Sequence, residues 1–222
     1  MHLYLVRHGQ SYINLPESDY LSNPDEPLTE LGWEQADAVG RWIAANIDAR
    51  YLFASTVTRA KQTAEIIRKY NSLEIRFDDR IREIGCNGPD GRALPNDQLP
   101  SYIEGTWGTL YPYDAVAEQG ENWMQFRSRV GGFIESLIRM FDNHTPKTNE
   151  ERVNQTVLVV CHGGVIEAFY EYIFQKGPWS VVSTMTNNSG ITHFRYQPRE
   201  NRPDWTLYYH NRLSHLTDNM IS

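Results

Sequence analysis

Four side chains able to grip an anion follow short apolar segments of the chain. Arg7 and His8 follow Leu3–Val6, Arg59 comes soon after Tyr51–Ala54, and His162 follows Thr156–Cys161. Segments of this length and composition read as buried strands. In open parallel sheets, ligands bind beyond the carboxyl ends of the strands. A sheet of this kind therefore gathers Arg7, His8, Arg59 and His162 although they are far apart in sequence. Arg59 and His162 also stand where helices begin, and the free N–H groups there favour an anion. Two guanidiniums, two imidazoles and helix N-termini make a pocket for a tetrahedral dianion such as phosphate. Arginine suits that task because its planar fork donates two parallel hydrogen bonds to oxyanions.

Other chemistries fit the residues less well. Cys161 and His162 are adjacent on a strand, so their side chains point to opposite faces and cannot form a nucleophile–base dyad. Cys161 is expected to pack in the core. A zinc site would need ligands at a spacing such as His-x-x-x-His, which does not occur, so no metal and no cofactor is expected. His2, His144, His193, His210 and His215 have no motif around them. The only two cysteines, Cys86 and Cys161, make no disulfide framework and suit a reducing compartment.

The elements that must position these groups can be read along the chain. Leu3–Val6 is a strand ending in a tight Arg-His-Gly loop. Thr29 is an N-cap for a helix reaching about Ile47, with Leu31, Ala38, Trp42 and Ile43 as its apolar face. Tyr51–Ala54 is a second strand, and Ser55 caps a helix from Val57 to about Tyr70 that turns Ala60, Ala64 and Ile67 inward. Ile75 and Phe77 alternate with polar residues as in a strand. From Gly85 to Gly120, six of the 15 glycines and four of the 11 prolines crowd together with Tyr102, Trp107, Tyr111 and Tyr113. That composition resists regular structure and reads as a loop-rich lid. Helical spacing returns between Asn122 and Asp142, with Phe126, Val130, Phe133, Leu137 and Phe141 on one face. A polar stretch from Thr145 to Asn154 is a surface loop. Thr156–Cys161 is apolar enough to lie centrally in a parallel sheet, and a helix follows His162-Gly163-Gly164 to about Phe174. Ile191–Tyr196 and Trp205–His210 form a terminal strand pair. Alternating strands and helices predict one α/β domain over residues 1–222: a three-layer sandwich whose mostly parallel central sheet is flanked by helices, with residues 85–120 inserted as a lid over the active site.

The motifs now assemble into a resemblance. Leu5-Val6-Arg7-His8-Gly9-Gln10-Ser11 resembles the signature of the histidine phosphatase superfamily, the phosphoglycerate mutase-like proteins. Pro27–Gly32, Ser55–Ala64, Ile81–Ile84, Val160–Gly164 and Asn188–Thr192 are similar, in order, to its later segments. The resemblance implies that His8 is the nucleophile and becomes a phosphohistidine. Arg7, Arg59 and His162 would hold the equatorial oxygens of the transferring group. Asn14, Ser11 and the Gly163 backbone N–H would contact the substrate. Glu83 would protonate the leaving alkoxide and later accept a proton from water, so burial is expected to raise its pKa from ~4.3. Glu65, Glu74 and Glu104 are alternative carboxylates on the residues alone. An acidic to near-neutral optimum is expected.

Mutases resembling this family carry Glu after Arg-His-Gly and His-Tyr-Gly after the acidic residue. Here those positions are Gln10 and Ile84-Gly85-Cys86, which favours a phosphatase over a mutase. A silent module that only binds phosphorylated ligands would lack His8 or Glu83, and both are present. The formal charge of −7 disfavours nucleic acid and anionic membranes as partners and leaves small phosphorylated molecules as the expected substrates. Neither a secretory signal nor a membrane helix is recognisable, so the cytoplasm is the expected location.

Overall fold

The computed structural model describes residues 1–16, 25–103, 111–141, 155–177, 183–198 and 200–222. Glu104, Trp107, His144 and the polar stretch 145–154 lie outside the described residues.

The β-branched run Thr156–Cys161 forms β4. It pairs in parallel with both β1 (His2–Arg7) and β2 (Tyr51–Ala54), as an apolar strand buried on both faces must. Three more strands complete the sheet. β3 (Ile75–Phe77) adds to β2 in parallel, while β5 (Ile191–Tyr196) and β6 (Trp205–Arg212) close the other side antiparallel. The strand order is β3-β2-β4-β1-β5-β6. Because side chains alternate along a strand, the sheet feeds two cores. Val157, Val159 and Cys161 meet Phe126, Phe133 and Phe169 from α3 (Trp123–Phe141) and α4 (Gly163–Ile173) on one face. Leu158 and Val160 meet Val39, Ile43, Ala60, Ala64 and Ile67 from α1 (Glu30–Asn46) and α2 (Thr58–Asn71) on the other. The architecture is the expected α/β sandwich. Among the described residues, no helix is long and apolar enough to cross a membrane.

Two local expectations need correction. The predicted apolar face of α1 is rotated: of Leu31, Ala38, Trp42 and Ile43 only Ile43 is fully buried, and the inward face carries Gly32, Gln35, Ala36, Val39 and Gly40. Contact geometry, not hydrophobicity, decides this. A Cβ on Gly32 would stand 1.9 Å from the Gln10 carbonyl oxygen, and one on Gly40 would stand 2.9 Å from the Tyr70 ring. Gln35 is buried because its amide is fully engaged, accepting from Gln10 N at 2.7 Å and donating to Met220 O at 2.6 Å and Ser222 Oγ at 2.9 Å. The second correction concerns Ser55. It is not the N-cap of α2; Val57 is, without a side-chain cap, and the Ser55 hydroxyl accepts from Val57 N at 3.2 Å while also meeting His162 in the pocket. Thr29 does cap α1, accepting from Gly32 N at 3.0 Å. Between Gly85 and Gly120 the described residues hold one 3-10 turn, Asn96–Gln98, and isolated bridges, as the composition implied.

Candidate active site

The pocket lies at the carboxyl edge of β2, β4 and β1, which are neighbours. Register places Arg7 beside Cys161 and Ala54 beside Val160, so the next residues, His8, His162 and Ser55, emerge together. The ladder runs one step past the strands, with His8 N donating to Cys161 O and Ser55 N to Val160 O, both at 3.0 Å. Strands about 4.8 Å apart bring the His8 and His162 rings to 5.1 Å between centroids.

The protonation of His8 follows from its partners. Nδ1 lies 2.7 Å from the Gly9 carbonyl, which can only accept, so Nδ1 carries the proton. On the other side of the ring, Arg59 Nε donates to Nε2 at 3.0 Å. Nε2 is therefore a lone-pair nitrogen facing the pocket. Burial, chiefly, and the Arg59 and Arg7 guanidiniums hold the imidazole well below the ordinary histidine range, against a smaller upward pull from the Gly9 hydrogen bond. His162 is held well below that range too, by burial first and then by Arg59, His8 and Arg7. Its Nε2 lies 2.8 Å from Ser55 Oγ, and its buried Nδ1 has no hydrogen-bond partner among the described residues. Arg7 passes one amine to the Thr186 carbonyl and leaves its buried Nε without a partner among the described residues.

Glu83 reaches the same pocket from the loop after β3. Only 8 % exposed, it accepts from Ile84 N at 3.1 Å through Oε1 and from Gly164 N, in the first turn of α4, at 3.3 Å through Oε2. The approach depends on Gly164, where a Cβ would fall 2.4 Å from Glu83 Oε1. At Gly163 a Cβ would meet only ordinary contacts with Arg7 at 3.8 Å. Glu65 pairs with Arg68 on the surface of α2 and Glu74 is exposed, so neither belongs to the pocket. Cys161 turns away from it into the core, where burial pushes its thiol well up.

Asn14 sits exposed at the rim. Its Oδ1 accepts from Ser11 N at 3.1 Å, Ser11 Oγ at 3.0 Å and Asn188 Nδ2 at 3.3 Å. Only its amide N–H groups are thus available to a ligand, and the Ser11 hydroxyl is spent on Asn14. Two contributors were missed in the sequence. Ser55 orients His162, and Asn188 ties the late turn to the site by donating to His8 O at 3.1 Å. The similar Asn188–Thr192 segment was the available signal for Asn188; for Ser55, helix-cap chemistry masked the role.

A scan of family models matches residues 3–207 to the histidine phosphatase superfamily, branch 1. The chain belongs to the histidine phosphatase superfamily. In sequence it is phosphoglycerate mutase-like. The fructose-2,6-bisphosphatase TIGAR of Xenopus tropicalis is 27% identical, covering 97% of this chain and 94% of its own. The probable phosphoglycerate mutase GpmB of Salmonella paratyphi C is also 27% identical, covering 97% and 95%. Among solved structures, a phosphoserine phosphatase of Entamoeba histolytica superposes with a TM-score of 0.69 at 21% identity, covering 97% of this chain and 99% of that one.

A stability consequence follows from the two buried imidazoles. His8 and His162 lie below their ordinary value in the folded chain and return to about 6.5 when unfolded. The unfolded state therefore binds protons first as pH falls, so their contribution is complete above about pH 6.5 and is lost below it. His193 and His215, each held at about 4, act in the same direction, whereas Glu167, raised to about 7, acts against them. Comparison with His162→Asn isolates one group. The wild-type unfolding free energy should fall between pH 6.5 and 5 more steeply than the variant's, by up to about 1.4 kcal/mol per pH unit. Equal slopes in urea titrations would show that His162 is not buried neutral.

Proposed function

We propose that the enzyme hydrolyses small phosphomonoesters through a phosphohistidine on His8. The observation that carries this reading is the His8 tautomer: proton on Nδ1 toward Gly9, unprotonated Nε2 accepting from Arg59 Nε, in a setting that opposes protonation. Nε2 attacks phosphorus in line, the P–O ester bond breaks, and the leaving oxygen takes the Glu83 proton. Water then attacks the phosphohistidine, Glu83 takes its proton, the P–N bond breaks and inorganic phosphate leaves. Arg59, Arg7 and His162 face the equatorial oxygens, and the orphan Arg7 Nε and His162 Nδ1 are the donors or acceptors such a group would satisfy. The first-turn N–H of Gly163 and the Asn14 amide complete the cradle, with Ser11 shaping the loop beneath. No step requires a metal or a cofactor.

Residues 85–120 serve as the substrate-shaping cover in this reading. Their root is packed beside the site: Cys86 and Leu99 cluster with Val57 at the start of α2, and Tyr102 OH donates to Ile84 O at 3.0 Å. Tyr111 and Tyr113 are exposed, open to a substrate or to solvent. The names of the relatives above favour phosphorylated metabolites over nucleic acid or membrane as partners, and two buried, unpaired thiols suit the cytoplasm.

The mutase reading differs in needing a bisphosphate to prime His8. Gln10 speaks against it, being an amide whose Oε1 accepts from Thr29 Oγ1 at 2.9 Å. The expected result is steady release of inorganic phosphate from small phosphomonoesters with EDTA present and no bisphosphate added. Turnover that stalls until a bisphosphate is supplied would establish the mutase instead.

A further inference from the structure

One buried ion pair near the pocket takes no part in the chemistry above. Arg129 on α3 and Glu121, the residue after Gly120, form an ion pair whose side chains are 6% and 0% exposed. A guanidinium has five N–H donors, and every one is used here. Nε donates to Glu121 Oε2 at 2.7 Å, and one Nη2 bond goes to Glu121 Oε1. The other three go to backbone carbonyls: Nη1 to Arg80 O at 2.9 Å and Arg82 O at 2.8 Å, and Nη2 to Glu83 O at 3.0 Å. Glu121 answers from the other side through its backbone, whose N–H donates to Asn87 O at 3.0 Å. The pair therefore holds the chain on both sides of the Glu83 side chain, Arg129 through the carbonyls of Arg80, Arg82 and Glu83 and Glu121 through that of Asn87.

This arrangement says more than that the pair is buried. No helix or strand holds the chain around Glu83: the last 3-10 turn ends at Ile81, and a single turn follows, with Cys86 N donating to Glu83 O at 3.1 Å and Gly85 at a φ of +79°. A carboxylate that donates and accepts protons must be placed to within a fraction of an ångström. The Glu83 side chain is held at its tip by Ile84 N and Gly164 N, and its backbone is held by Arg129.

We propose that Arg129, neutralised by Glu121, is the positioning residue for the Glu83 acid–base group, and that it ties Glu83 to the end of the 85–120 segment. This rests on the reading of Glu83 given above. Lysine keeps the charge but has three donors on one point, so it cannot span three carbonyls and a carboxylate.

The test is the single-turnover rate of phosphoryl transfer to His8, measured with an alkyl phosphate, whose leaving group needs a proton, and with p-nitrophenyl phosphate, whose leaving group does not. Arg129→Lys should slow the alkyl ester about 10- to 100-fold and the aryl ester less than about 3-fold. Combined with Glu83→Gln it should cost little beyond Glu83→Gln alone. Glu121→Gln, which keeps the shape of the pair, should show the same leaving-group pattern and serves if Arg129→Lys does not fold. Equal losses on both esters, full rates on both, or additivity with Glu83→Gln would overturn the positioning role while leaving Glu83 intact. Absence of leaving-group dependence in Glu83→Gln itself would overturn the Glu83 reading and the role of Arg129 with it.

Discussion

His8→Ala is expected to lower turnover of phosphomonoesters by about 10⁵- to 10⁶-fold, the scale seen when a covalent nucleophile is removed from a pocket otherwise intact. The loss follows from geometry. Nε2 is the one lone-pair nitrogen of His8 presented to the pocket, with Arg59 Nε at 3.0 Å and the His162 ring at 5.1 Å centroid separation. Without it, a water must attack phosphorus with no group held in line. Arg7, Arg59 and His162 remain, so binding of inorganic phosphate should survive, and with Arg59 Nε released from His8 it should not weaken. Acid-labile phosphate incorporated from substrate into the wild-type protein should vanish in the variant. Undiminished incorporation in His8→Ala would place the phosphoryl acceptor elsewhere. No incorporation in the wild type, with tight phosphate binding in both proteins, would make this a binding module.

Much of the pocket was legible because strand physics is local. Thr156–Cys161 is apolar on both faces and so had to be central, and the Arg7-His8 and His162-Gly163 turns follow such strands directly. Once three parallel strands are neighbours, their carboxyl ends are neighbours too, and the Cys161-His162 alternation settles which residue faces the pocket. The close backbone approach at the turn after His162 falls on Gly164, where a Cβ would stand 2.4 Å from Glu83 Oε1. What depended on distant partners was not legible. The inward face of α1 was misjudged because Gln35 and two glycines occupy it for hydrogen bonding and close contact, which a hydrophobic pattern does not score. Ser55 looked like a cap because cap chemistry and imidazole orientation use the same hydroxyl. Glu83 could be chosen over Glu65 and Glu74 only through its motif, since the group that fixes its backbone, Arg129, lies 46 residues further along the chain.

Glu83→Gln should separate the two halves of the reaction. Glutamine keeps the size of the side chain and an oxygen that can accept from Ile84 N and Gly164 N, the two bonds that hold the carboxylate, but it has no proton to give and cannot take one. With alkyl esters, where the leaving oxygen must be protonated as the bond breaks, the loss should be about 10²- to 10⁴-fold, the range for general acid–base catalysis. With p-nitrophenyl phosphate the first step should proceed nearly unimpaired, because the departing phenolate is stable unprotonated. The second step should still fail, since water attacking the phosphohistidine needs the same carboxylate as a base. The expected signature is a burst of p-nitrophenol equal to the enzyme concentration, then slow turnover, with the protein trapped as phospho-His8. A uniform loss on both esters with no burst would show that Glu83 holds the pocket together without moving a proton, and the acid–base role would pass to another group in the site.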